Sequence, residues 1–190
     1  MPRLSSWVTR PERSRTYRAP HRRRHRHERG EIVTATLPDR SRIVQEHLAA
    51  AGIDTEIVVL PDSARTAPEA AQAVGCEVGA IANSLVLVAD GRPILVMTSG
   101  AHRVDVDVLA AAIAAESVAM APAAVVRAAT GQAIGGVAPA GHPQPLPTYL
   151  DEDLAAFDRI WAAGGTPHTV MPLTFEQLRA LTGGTTVRVA

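Results

Sequence analysis

Ser84-Leu-Val-Leu-Val-Ala-Asp-Gly-Arg-Pro-Ile-Leu-Val-Met-Thr98 places two apolar runs on either side of Asp90-Gly91. Asp-Gly supplies the two positive-φ positions of the tight turn that joins antiparallel strands, so this stretch predicts a β-hairpin. Residues 84–89 and 93–98 are almost continuously apolar rather than alternating, which predicts a hairpin covered on both faces. A sheet buried on two sides needs covering elements before and after it in the chain.

The flanks supply them. Upstream, Ile43, Val44, His47, Leu48 and Ala51 keep helical spacing, with Asp39 or Ser41 available as cap and Gly52 as terminator. Thr55–Leu60 is rich in β-branched residues and predicts a strand. Thr66-Ala-Pro-Glu69 has the form of a capping box with Pro in the first turn, opening a short helix that stops at Gly75. Downstream, Asp105 can cap a helix reaching Ala115, followed by a strand near Ser117–Met120 and a helix over Pro122–Ala129. Pro143, Pro145 and Pro147 enforce an extended path into Thr148–Leu150. Ala156–Ala162 and His168–Met171 flank Gly164-Gly165 as a second hairpin, and Thr174-Phe-Glu-Gln177 caps a last helix that ends at Gly183. Short helices interleaved with hairpins imply a mixed α/β (α+β) domain rather than a doubly wound one.

Composition narrows the class. With 46% hydrophobic and 20% charged residues in 190, the chain has ordinary globular usage and enough length for one core. No apolar run approaches the ~20 residues of a membrane span, so a soluble, cytoplasmic protein is expected. A single cysteine, Cys76, excludes an internal disulfide and a multi-cysteine zinc site.

Charge is unevenly distributed. Residues 1–32 carry ten Arg against Glu12, Glu28 and Glu31, a net of +7, whereas 33–190 carry nine Arg against sixteen acids, a net of −7. There is no lysine. The Arg-rich stretch through His21-Arg-Arg-Arg-His-Arg-His27 buries too little apolar surface to offset its ordering entropy and is expected to be disordered. A nucleic-acid-binding arm, a targeting peptide and a spurious extension all fit it. The extension is preferred, with the domain occupying 33–190, because nothing downstream needs the arm.

Candidate chemistry centres on Thr130-Gly-Gln-Ala-Ile-Gly-Gly-Val-Ala-Pro-Ala-Gly-His142, with four glycines in thirteen residues. Such a loop leaves main-chain N–H groups free to hold a carbonyl or phosphate oxygen, although a Gly-rich connection is more often only a turn. Ser99, His102 and Asp105 lie close in sequence but lack a nucleophile elbow, so a hydrolytic triad is disfavoured. His102, His142 and His168 have no helical i,i+4 pair, which disfavours a metal, and no phosphate-binding or dinucleotide fingerprint is present. Neither metal nor cofactor is expected. Asn83-Ser84, the 99–105 segment and the glycine loop would each sit where a covered sheet ends, which makes a cleft between them plausible.

On Val78-Gly-Ala-Ile-Ala-Asn-Ser-Leu-Val86, Asp90-Gly91, Thr98 through Asp105, Thr130-Gly131, Gly135-Gly-Val-Ala-Pro-Ala-Gly-His142 and Gly164-Gly165, residues 40–190 resemble the YbaK/ProX family of aminoacyl-tRNA deacylases. The resemblance implies a mixed, partly barrel-like sheet surrounded by helices. It implies hydrolysis of the ester that joins a wrong amino acid, typically Ala or Cys, to the proline tRNA. The family's Gly-x-x-x-Pro element falls on Gly135 and Pro139. Combined with the cleft reading, this assigns Asn83, Gly135, Gly136 and Pro139 to catalysis, with Ser84, Thr98, His102, Arg103, Asp105 and His142 around the substrate. Many relatives carry Lys where this chain has Asn83, and no neighbouring lysine can replace it. Arg103 is the nearest cation in sequence. Implied partners are the acceptor end of an aminoacyl-tRNA and a synthetase that supplies basic surface, since a domain of net −7 is poorly suited to a broad tRNA footprint. With Asn83 in place of lysine, a non-catalytic binding module on the same fold is the alternative.

Overall fold

The turn at Asp90-Gly91 takes φ of 48° and 78°, and the hairpin it closes lies in the middle of the sheet. A computed structural model describes residues 36–190; the expected Arg-rich arm over 1–32 lies outside them. Strands β2 (Ile81–Ala89) and β3 (Arg92–Ser99) pair antiparallel over their whole length, from Ala82 opposite Ser99 to Ala89 opposite Arg92. Asp90 also accepts from the N–H groups of Glu116 and Ser117, which pins the turn to the chain entering β4 (Val118–Met120).

Eight strands among the described residues form one mixed sheet in the order β1-β7-β6-β2-β3-β5-β8, with β4 attached to β2. The remaining strands are β1 (Val58–Val59), β5 (Thr148–Asp151), β6 (Ile160–Ala163), β7 (Thr169–Leu173) and β8 (Thr185–Val187). Five α-helices among the described residues flank the sheet: α1 (Asp39–Ala50), α2 (Ala67–Val74), α3 (Val106–Ile113), α4 (Ala123–Thr130) and α5 (Phe175–Thr182). This is the mixed α/β architecture expected from the sequence.

The period of two along a strand sorts the hairpin's side chains onto two faces. Ala82, Val86, Leu95 and Met97 join a large core with Val44 and Leu48 of α1, Val126 of α4 and Leu178 of α5. Leu87, Ala89, Ile94 and Val96 turn the other way and pack with Leu109 of α3, Val187 and Val189. The continuous apolar runs therefore serve two cores, as their composition predicts. Each fully buried aliphatic side chain stabilises the fold by about 1.5–3 kcal/mol.

Caps follow the sequence at α2 and α5, where Thr66 with Glu69 and Thr174 with Gln177 form reciprocal capping boxes. They fail at α1, which starts after Pro38 without a side-chain cap. Ser41, expected as a capping candidate, is buried and hydrogen-bonded through Oγ to Thr169 Oγ1 at 3.0 Å. The strand expected over Thr55–Leu60 shrinks to Val58–Val59, because Thr55 Oγ1 donates to the Pro172 carbonyl and the Ile57 N–H to Gln45 Oε1 instead of to a ladder. In the second hairpin the first strand starts at Ile160; Glu152–Ala156 forms a 3-10 turn capped by Asp151. Strand β8 was not anticipated. No helix among the described residues is long and apolar enough to cross a membrane.

Candidate active site

Strand β2 has one neighbour along one edge and two along the other. Gly100 N–H donates to the Ile81 carbonyl at 2.8 Å, which directs the odd-numbered main-chain groups of β2 toward β3. The even-numbered groups therefore face the other edge. There β6 runs parallel to β2 only at Ile81 and Ala82, and β4 pairs antiparallel only from Leu87 to Ala89, with Ala121 N–H reaching the Val86 carbonyl at 3.2 Å. Between these two partners the sheet forks. The Ser84 N–H and C=O point into the fork.

The fork holds an open cavity of about 330 Å³. Its sides are residues 81–85 of β2, Trp161–Ala163 of β6 and Val170 of β7; across them stand Ile134, Gly135 and Val137 of the glycine loop and residues 64–67 and 70 at the entrance of α2. Most of this lining is alanine or aliphatic. Asn83 and Ser84 bring polarity, and Arg65 is the one charged residue among the lining side chains. Ser84 Oγ donates to Met97 Sδ at 3.2 Å, and Thr66 and Thr169 spend their hydroxyls on the α2 cap and on Ser41 and Thr166. Asn83, half-buried, makes no side-chain hydrogen bond to any described residue, so its carboxamide is available to a ligand.

The glycine loop is built to lie against this cavity. Gln132, buried, braces it from within: its Nε2 donates to the Ala140 carbonyl at 3.0 Å and its Oε1 accepts from Ala138 N–H at 2.6 Å. Gly135, at φ 86°, touches the stem of Arg65; a Cβ there would lie 3.2 Å from Arg65 Cβ. Gly136 sits directly on the Thr166-Pro167 peptide. Pro139 is buried beneath the loop and does not reach the cavity.

The other candidates lie elsewhere. Thr98 faces Asn83 across the hairpin but turns its hydroxyl to Asp151 Oδ2 at 3.2 Å. Asp151 also accepts from Ser99 N–H at 2.9 Å and meets His102 Nδ1 at 2.8 Å, while His102 Nε2 meets Asp153 Oδ2 at 3.1 Å. Both imidazole nitrogens are thus engaged by separate carboxylates, and this clamp draws the 99–105 segment away from the cavity. Ser99 Oγ donates to the Gly79 carbonyl and Asp105 caps α3, so Ser99, His102 and Asp105 do not form a relay. Arg103 is exposed on the same segment and does not line the cavity. The expected cleft exists, but its walls are β2, the glycine loop and the entrance of α2 rather than residues 99–105.

His142 lies behind the loop, with its Nε2 2.9 Å from the Ala138 carbonyl. Burial holds its pKa below the ordinary value; the bond to Ala138 opposes that shift and the nearby His47 adds to it. The unfolded chain therefore takes up a proton more readily than the folded one. Stability should fall as pH drops through about 6.5 and level off below the lowered folded value. In calorimetric melts, His142→Asn is expected to flatten this acid limb. A limb unchanged by the substitution would assign the pH dependence to other groups.

Sequence reasoning overlooked Arg65, Trp161 and Gln132. Arg65 reads in sequence as a surface charge beside a capping box, and only the approach of the glycine loop to α2 brings it to the cavity.

Residues 61–181 match the aminoacyl-tRNA editing domain family. The chain belongs to that family. It is 44% identical to a candidate trans-editing enzyme for prolyl tRNA synthetase of known crystal structure, with a TM-score of 0.76 over 81% of this chain and 98% of that one. The uncharacterized protein YwhH of Bacillus subtilis (strain 168) is 26% identical over 71% of this chain and 86% of its own length. A hypothetical protein of known crystal structure, 24% identical, shares the fold with a TM-score of 0.72 over 77% of this chain and 98% of its own.

Proposed function

We propose that this editing-domain protein is a trans-acting deacylase that hydrolyses the ester between a mischarged small amino acid, of the alanine or cysteine type, and the 3′ end of a proline or similar tRNA. The observation that carries the reading is the forked strand. An available Asn83 carboxamide, the outward-facing Ser84 main chain and the Gly135 bend border one cavity with small apolar walls. An aminoacyl ester is already activated, so the site needs to place the carbonyl, admit water and stabilise the oxyanion. Water adds to the carbonyl carbon, the bond to the ribose oxygen breaks, and that oxygen leaves with a proton. Asn83 donates to the developing oxyanion or to the ribose; Gly135 lines the aminoacyl side; Gly136 and Pro139 hold the bend in place. The partner is the acceptor end of the tRNA, with a synthetase supplying the basic surface that a domain of net −7 lacks. A cytoplasmic setting, where charged tRNA is made, accompanies the reading.

The replacement of the family's lysine by Asn83 favours one second reading, a module that binds charged tRNA without cleaving it. A deacylation panel against mischarged tRNAs separates the two, with Gly135→Ala as control. Hydrolysis of alanyl- or cysteinyl-tRNA is expected, and Asn83→Ala should lower kcat/KM by about 10²-fold, the typical loss of one oxyanion donor. A flat panel at micromolar protein retires the enzyme; activity appearing only in Asn83→Lys identifies a binding module.

A further inference from the structure

We infer that Arg65 is the anion-binding residue of this cavity and grips a phosphodiester of the nucleotide chain leading to the esterified adenosine. The assignment rests on the reading of the site as one that receives a tRNA 3′ end.

Among the described residues, Arg65 is the single charge in a lining that is otherwise apolar or neutral. It makes no ion pair with any described carboxylate, and its only hydrogen bond to a described residue is through the main-chain N–H, which donates to Glu69 Oε2 at 2.8 Å. Glu69, four residues on, has turned its carboxylate onto the Arg65 and Thr66 N–H groups, where it completes the capping box. The guanidinium stays within electrostatic reach of that carboxylate but does not pair with it, and it opens to solvent and to whatever enters the cavity.

Its base is also fixed. The backbone is tied to the first turn of α2, and the Cβ–Cγ stem packs on Gly135, where any side chain would press to 3.2–3.3 Å. An arginine held at both Cα and stem loses less freedom when it binds, and its planar fork suits the paired oxygens of a phosphate. The adjacent helix start offers an anion little, because the Arg65, Thr66 and Glu69 N–H groups are spent within the capping box and Pro68 has none, which leaves the Ala67 N–H. In a domain with seven more acids than arginines and no lysine, Arg65 is the cation that the described cavity lining presents.

Two non-hydrolysable ligands test this: 3′-alanylamido-3′-deoxyadenosine, which has no phosphate, and the same group at the end of a CCA trinucleotide. Titration calorimetry with wild type should show the trinucleotide binding at least tenfold more tightly than the nucleoside. Arg65→Gln should remove about tenfold from the trinucleotide and leave the nucleoside unchanged, and it should lower the slope of log affinity against log salt by about 0.7, the value for one single-strand phosphate contact. Arg65→Lys should recover part of both. Thermal melts confirm that the variants fold. An equal loss on both ligands, no loss on either, or no binding of either by wild type overturns the inference. Hydrolysis that proceeds unchanged in Arg65→Gln, in KM as well as kcat, overturns it while leaving the deacylase intact. Arg65-dependent trinucleotide binding without any hydrolysis retires the deacylase and leaves the anion site standing.

Discussion

Gly136→Ala should abolish ester hydrolysis and lower unfolding stability by about 3 kcal/mol, the upper end of the usual cost of forcing a methyl into packed structure. A Cβ at this position would lie 2.3 Å from the Thr166 carbonyl carbon and 2.5 Å from Pro167 N, both main-chain atoms. The turn they belong to cannot easily retreat. Thr169 Oγ1 bonds Ser41 Oγ and Thr166 Oγ1, which ties the turn to α1. The loop must lift instead, carrying Gly135 and Val137 off the cavity. Gly91→Ala is the contrasting control: no atom lies within 4 Å of the point its methyl would occupy, so only its φ of 78° is strained and activity should persist. Urea melts and the deacylation panel check both. A Gly136→Ala protein with a wild-type midpoint and rate would show that the loop does not dock on the 166–167 peptide.

The second large effect is expected outside the cavity. Asp151→Ala should destabilise the protein by about 3 kcal/mol, the upper end of the cost of leaving buried hydrogen-bonding groups without their partner. Asp151 is 1% exposed, and its carboxylate serves Thr98 Oγ1, the Ser99 and Asp153 N–H groups and His102. Alanine leaves all four without their acceptor, two of them main-chain donors. Asp151→Asn keeps one acceptor oxygen and should lose markedly less. Because none of the four groups lines the cavity, the folded fraction should retain ligand binding. A midpoint unchanged in urea would mean that the clamp contributes nothing to the fold.

Much of the architecture was legible in sequence because it depends on local chemistry. Asp90-Gly91 dictates its turn, Thr66 and Thr174 their caps, and Gly75, Gly131 and Gly183 the left-handed ends of three helices. The membership implied by the Gly135–His142 stretch likewise agrees with the family match over 61–181. What could not be read depends on distant partners. Thr185–Val187 is too short to announce itself as a strand and exists because β5 offers an edge. Asp151 reads as the first of three acids, Asp151-Glu152-Asp153, yet it is buried and theirs is a 3-10 turn. The fork in the sheet has no sequence signal at all, since it arises from where β6 stops and β4 begins. Asn83, Ser84 and Gly135 nonetheless stand out in the sequence, and they border the cavity together with the unforeseen Arg65.

The split neighbours of β2 also bear on how the protein will answer to mutagenesis. The Ser84 amide that faces the opening is shared by every amino acid except proline, so a survey that trims side chains one at a time cannot delete it. Replacing that peptide link by an ester, through chemical ligation or an α-hydroxy acid at position 84, would remove one donor while sparing every side chain around it. Such a backbone edit can expose a contribution that conventional scanning leaves invisible.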